Sequence, residues 1–420
     1  MTKRRIVPAV VLVLGLVAAT VAFAATRGGD DNRLTIGALY PTSGPQGEGG
    51  SEELRGVQLA ADWANDHGGV NAKSVRLRAV DVERAEAVPT AMRTLHADGV
   101  DLVVGSHGSA ISAAAAQVAS DERMLFWETG AVGLVGPEVD SGRSFFRLAP
   151  MGANLGRAGM TFIFEQMASR LGVDRPLSVA VAYVDDVYGR AVSGGAIEAA
   201  SAGGVLAGTF PYDAASADFD DLARRIAGAH PDVLFVVAYI DDGVALRAAT
   251  VRQGVHLLAS IGTSSSYCHP AFGDRLGDAA VGLFASDKPD AAHVQESALT
   301  SDARAALRWV TAEYTRRWHT DMSAAALSGF SNASALFSAV LPAARTATPA
   351  AVAAAALTTK LPVGSLANGG GLDLAPPGAA DAGENRNAAS VIWEWVAVRT
   401  RAVVWPPAFA THAIEALPIQ

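Results

Sequence analysis

Short apolar strands alternate with helices along this chain, and the alternation then starts again, which leaves few folds open. The first series has strands at 34–40, 74–80, 102–104 and 124–127. Between the first two, Leu54, Val57, Leu59, Ala60, Ala61 and Trp63 recur close to helical spacing until Gly68 and Gly69 end the run. The second series runs from a strand at 177–184, through a small-residue helix at 190–202, to an extended piece at Phe210 and Pro211. An amphipathic helix at 219–229 and a buried strand at 233–239 complete it. Alternating β and α with short turns builds a parallel sheet covered on both faces. At 420 residues the chain exceeds what one core usually holds. The expectation is therefore an α/β protein of two lobes with a cleft between them, where small ligands prefer to sit.

The remaining chain is less regular. From Gly282 the sequence FASDKPDAAH, at 284–293, loses periodicity and reads as a crossing segment. Helices are expected at 301–318 and 324–344, a loose Gly/Pro/Ala loop at 368–383, and closing strands at 391–398 and 402–405. The lobes are expected at 33–149 plus 285–372 and at 150–284 plus 385–420.

One stretch reads as a binding site, DLVVGSHGSAISAAAAQVAS at 101–120. Its strand breaks at Gly105 into a polar turn, and a helix follows at 111–119. The first N–H groups of a helix lack internal partners, so they can converge with Ser106, Gly108 and Ser109 on an anionic group. An ordinary βα turn with Ser109 as N-cap satisfies the same pattern.

Charge and motifs narrow the classes. The N-terminus carries Lys3, Arg4 and Arg5 before an apolar run at 6–25 ending in Ala22-Phe23-Ala24, the pattern of an export signal. Residues 1–25 are thus expected to be a cleaved signal peptide or a retained anchor, placing the protein outside the cytoplasm. Counting from Thr26, the formal charge moves from −9 to −12. Nothing in that balance favours nucleic acid or an anionic membrane surface, so membrane contact is expected only through the leader. The single cysteine, Cys268, forms no internal disulfide and does not follow the leader, so no lipid anchor is expected there. No G-x-G-x-x-G, G-x-x-x-x-G-K-[ST] or G-x-S-x-G motif occurs, and neither catalysis, a metal nor a cofactor is expected. Asp185-Asp186 and Asp241-Asp242 read as solvated loop carboxylates. His107 is either a ligand contact or a solvated turn histidine. Trp127 either stacks on a ligand or packs in the core, and Trp393 and Trp395 read as sheet packing.

Taken together, IGALYPTSGPQGEGG, RGVQLAADWANDHGGV, VVGSHGSAISAAAAQVAS, FFRLAPMGANLGRAGM, VAVAYVDDVYGRAV and HPDVLFVVAYIDDGVALRAATVRQGV resemble a known family. It is the solute-binding proteins of ABC transporters, in the branched-chain amino-acid-binding (Leu/Ile/Val) group. The resemblance implies two Rossmann-like lobes (the type I periplasmic-binding-protein fold) joined by three crossings, hinge closure on a small solute, and delivery to permease subunits by a monomer. It also implies that the Ser109 loop takes an amino acid's α-carboxylate, that Ala131 and Val132 add contacts, and that Tyr188 and Tyr239 line the cleft from the second lobe. Ser43 and Ser106 join Ser109 as expected hydroxyl and amide donors. Three positions depart from the family. Val132 stands for a hydroxyl residue, Ser264 for the acid that pairs with the solute's ammonium, and Gly49 for an aromatic. Asp185, Asp241 and Glu128 are the candidates to supply the missing charge. A sensory ectodomain of the same fold, tethered through residues 6–25, is the alternative to transport.

Overall fold

The computed structural model describes residues 32–44, 46–263 and 265–419. The expected leader and Ser264 lie outside them. The first sheet contains β1 (Arg33–Tyr40), β2 (Ser74–Asp81), β3 (Leu102–Gly105), β4 (Leu125–Glu128) and β5 (Phe145–Arg147), all parallel, in the order β2-β1-β3-β4-β5. Side chains alternate across it as a pleated strand requires. Ile36, Ala38, Tyr40, Leu102, Val104, Leu125, Trp127 and Phe146 enter one core, while Leu39, Val103, Phe126 and Phe145 enter the other.

The first of those cores is closed by helix Gly47–Asp66 and by helices from the distant Ser301–Trp318, Ala324–Ala335 and Pro349–Thr358 segments. Helix Gly47–Asp66 lies so close to helix Ala324–Ala335 that a methyl at Gly56 would overlap the Ala326 carbonyl. The apolar run Ala324–Ala343 is long enough to cross a membrane by length and composition, yet most of it is buried in this core.

The second sheet contains β6 (Ser178–Val184), β7 (Val205–Tyr212), β8 (Val233–Val237), β9 (Ala259–Thr263), β10 (Phe284–Asp287), β11 (Val391–Ala397) and β12 (Thr400–Trp405), in the order β12-β11-β10-β9-β8-β6-β7. β6 to β10 pair in parallel, whereas β11 and β12 are antiparallel. Trp393 and Trp395 are buried among its side chains, as sheet packing.

Several elements depart from the sequence reading. Part of the expected crossing, Phe284–Asp287, is strand β10, fully buried between β9 and β11. Helix Val187–Gly203 begins two residues after Asp185, because the Asp186 carboxylate caps it by accepting the Gly189 N–H at 2.7 Å. Asp241 and Asp242 lie in the first turn of helix Ile240–Arg252 rather than in a solvated loop. Asp242 is buried and accepts the Tyr212 hydroxyl at 2.6 Å. Burial pushes its carboxyl above the usual range against that hydrogen bond.

Candidate functional site

The loops that follow β1, β3 and β4 meet at the carboxyl ends of the first sheet, where open α/β sheets bind ligands. At their centre is Glu128, the last residue of β4, whose carboxylate is completely buried. Its Oε1 accepts the N–H groups of Gly130 and Ala131, both at 2.7 Å. Its Oε2 accepts the Ser106 N–H at 3.1 Å and the Ser112 hydroxyl in a short contact. Burial, and then the neighbouring Glu53 carboxylate, push its pKa up to about 8, against hydrogen bonds from Ser112 and Gly130 and the charge of Arg147.

A second buried network adjoins this one. Glu53 projects from helix Gly47–Asp66 and accepts the Thr129 hydroxyl at 2.6 Å, while Thr129 in turn accepts the Tyr40 hydroxyl at 2.6 Å. The other Glu53 oxygen lies 3.0 Å from His107 Nδ1. His107 is therefore held by Glu53 through one ring nitrogen, with its side chain 26% exposed. The Thr129 carbonyl receives Ser328 Oγ at 2.8 Å and Asn332 Nδ2 at 2.7 Å, and Trp127 donates its indole N–H to the Asn332 carbonyl at 2.9 Å. Trp127 is fully buried, which settles it as core.

Almost every polar group of residues 130–133 is thus held by the protein. The Gly130 carbonyl accepts Lys288 Nζ at 3.0 Å, reaching over from beyond β10. The Val132 carbonyl accepts the Gly152 N–H at 2.8 Å, and the Gly133 N–H donates to Ser109 Oγ at 3.1 Å. Arg147, fully buried and 2.9 Å from Glu384, donates its second nitrogen to the Gly133 carbonyl. Ser109 is the first residue of helix Ser109–Asp121 and does not cap it. Having accepted from Gly133, its hydroxyl keeps a proton to donate.

The second lobe comes close at this point. A methyl at Gly133 would stand 2.5 Å from Ser109 Cβ and 3.0 Å from Val187 Cγ1, so only glycine lets the three segments approach. Tyr188, next along the same helix turn, is buried and shares a hydroxyl–hydroxyl bond of 2.8 Å with Thr263 at the end of β9. Its ring centroid is 5.3 Å from that of Tyr239, the residue preceding helix Ile240–Arg252. Tyr239 donates to Asp186 at 2.8 Å. Burial and the Asp186 carboxylate both push its phenol upward.

Of the residues expected from sequence, Ser106, Ser109, Ala131 and Val132 come together on the first lobe, with Tyr188 and Tyr239 opposite. Ser43 stands apart. In the parallel register Tyr40 lies beside Asp81, and Asp81 takes the Thr42 N–H and the Ser43 hydroxyl, each at 2.7 Å. Asp185 pairs with Arg190 at 2.8 Å and Asp241 with Arg275 at 2.5 Å, all of them exposed, and Glu128 is turned into its own lobe. None of the three faces the second lobe's tyrosines as a free carboxylate. Glu53 was not singled out by sequence reading. Its signal was there, since Gly50, Glu53, Leu54 and Val57 mark one buried helical face.

Two α/β lobes that turn these loops toward each other define a bilobal solute-binding protein. Residues 33–377 match the periplasmic binding protein family, and the chain belongs to it. That family binds solutes and does not catalyse reactions on them. Leu/Ile/Val-binding protein homolog 8 of Brucella abortus is 29% identical over 316 residues, covering 73% of this chain and 76% of that protein. The branched-chain amino acid transporter substrate-binding protein LivJ from Streptococcus pneumoniae, solved with isoleucine, superposes with a TM-score of 0.68 at 18% identity. The match covers 89% of this chain and all of that one. A solute-binding protein of an ABC transporter from Rhodopseudomonas palustris, solved with 3,4-dihydroxybenzoic acid, gives a TM-score of 0.66 at 16% identity, covering 87% and 93%.

Proposed function

We propose that this chain works outside the cytoplasm as the solute-binding component of an ABC transporter, capturing a small polar solute between its lobes and delivering it to permease subunits. The solute class is an amino acid, an amide or a related carboxylate. The observation that carries this reading is the approach of Ser109, at a helix start, to Val187 of the other lobe across Gly133, with the Tyr188–Tyr239 ring pair beginning at the next residue. The Ser109 hydroxyl and the adjoining helix N–H groups suit a carbonyl or carboxylate oxygen, and the two rings suit the body of the solute. Relatives solved with isoleucine and with a dihydroxybenzoic acid add support, since both of those molecules carry a carboxyl group. Ligand-driven closure then makes the closed form the one a permease meets.

A thermal-shift screen against amino acids, amides, urea, aromatic acids and small peptides tests this. A solute at a thousand times its dissociation constant adds about 4 kcal/mol to the native state, a readily visible shift. Ser109→Ala and Tyr239→Ala should each diminish the shift of the same compound. A hit indifferent to both changes, or no hit at all, would count against the cleft.

A further inference from the structure

Three backbone N–H groups and one hydroxyl converging on a single carboxylate make a receptor for a small anion. Here the chain fills that receptor itself. The donors come from three separate stretches: Ser106 from the turn after β3, Ser112 from the first turn of helix Ser109–Asp121, and Gly130 and Ala131 from the loop after β4. The stretches are also linked one to one, Thr129 N–H to the Gly105 carbonyl at 2.8 Å and Gly133 N–H to Ser109 Oγ at 3.1 Å, but on Glu128 four of their donors converge on one side chain. Ser109, offered to the solute under the proposed function, lies three residues from both Ser106 and Ser112, and Val132 adjoins Ala131.

We infer that Glu128 is a positioning residue, an internal carboxyl group that fills this receptor and holds the Ser106–Ser112 and 129–133 stretches in one register. Its meaning for solute capture rests on the proposed function; its mechanical role does not. Without its carboxylate the donors face an empty, buried pocket of carboxylate size, and a free carboxylate of one or two carbons is the ligand that fits it. A residue that merely fills volume would leave a cavity with no such preference.

The test is made on the full chain with Glu128→Ala, using hydrogen exchange and the thermal midpoint, with sodium formate and sodium acetate as probes and sodium chloride at equal ionic strength as control. Amides of both 105–112 and 129–133 should exchange at least about tenfold faster in the variant, since loss of a shared anchor releases both. Formate or acetate should restore their protection and the midpoint saturably in the variant, while leaving the parent protein unchanged. Release of 129–133 alone, or equal effects of chloride and formate, would overturn the inference. Should Glu128→Ala fail to fold in buffer, recovery of folding in formate supports the inference, and failure in formate as well contradicts it. Glu128→Gln keeps an Oε1 acceptor for Gly130 and Ala131 but turns its NH2 toward the Ser106 N–H, so 129–133 should keep its protection without formate while 105–112 loses part of its own; loss of protection at 129–133 in this variant would also overturn the inference. If the solute screen finds nothing while formate restores the variant, the proposed function fails and this inference stands.

Discussion

Glu128 and Ser109 show how much one side chain decides here. Glu128 binds its proton more tightly in the folded protein, at about 8, than an ordinary glutamate does near 4.5. Its stabilising contribution is therefore complete below the unfolded value and is lost as pH rises through about 8. Between those limits the folded state holds the extra proton, and stability falls by up to about 1.4 kcal/mol per pH unit. Glu128→Gln, which resembles the protonated acid, should flatten this slope in urea unfolding series run at pH 5 to 8; an unchanged slope would assign it elsewhere. Ser109→Ala removes the acceptor of the Gly133 N–H as well as a donor to the solute. About 1–2 kcal/mol, or roughly five- to thirtyfold in solute affinity, is the expected loss by calorimetry. Sequence pattern alone picked out Ser109, because a hydroxyl at a helix start is a local signal. Glu128 was legible only as an acid at a strand end, since its partners come from two loops that the fold alone brings near.

Among the elements, helix Gly47–Asp66 and helix Ala324–Ala335 form the tightest pairing that bears on the site. Gly56 lies against the Ala326 carbonyl, and Gly329 against the backbone of Glu53. Gly56→Ala must push the helices apart, at a cost of about 1–3 kcal/mol measured by denaturant unfolding. It should also disturb the Glu53–Thr129 contact that hangs from the same helix. Trp127→Ala leaves a large cavity and strips the Asn332 carbonyl of its donor, so about 3–5 kcal/mol of stability should go. Four of the five strands of the first sheet were readable from their alternation; β5, only three residues long, was not. Helix Pro349–Thr358 was not, since a run made mostly of alanine has no polar face to reveal its period. β10 was hidden because four buried residues pass directly into Lys288, Pro289 and Asp290, which look like loop.

Across the whole molecule, the two-lobe arrangement was visible as a pattern that begins twice. The return of distant segments was expected as well, 285–372 to the first lobe and 385–420 to the second, although helices 301–358 carry no mark in their own pattern of which sheet they cover. Lys288 reaching Gly130, and Arg147 bound to both Glu384 and Gly133, tie the strands between lobes to the site loop itself. Under the proposed function, these ties join closure to solute contact. That coupling is most directly measured by energy transfer between dyes at Thr94→Cys on the first lobe and Ala214→Cys on the second, the native Cys268 being buried. Isoleucine, leucinamide and the strongest compound of the thermal screen are added in turn. Any compound that raises the melting midpoint should also raise transfer saturably, with the same dissociation constant, and Ser109→Ala should weaken both together. A compound that stabilises the protein while transfer stays constant would contradict capture by closure.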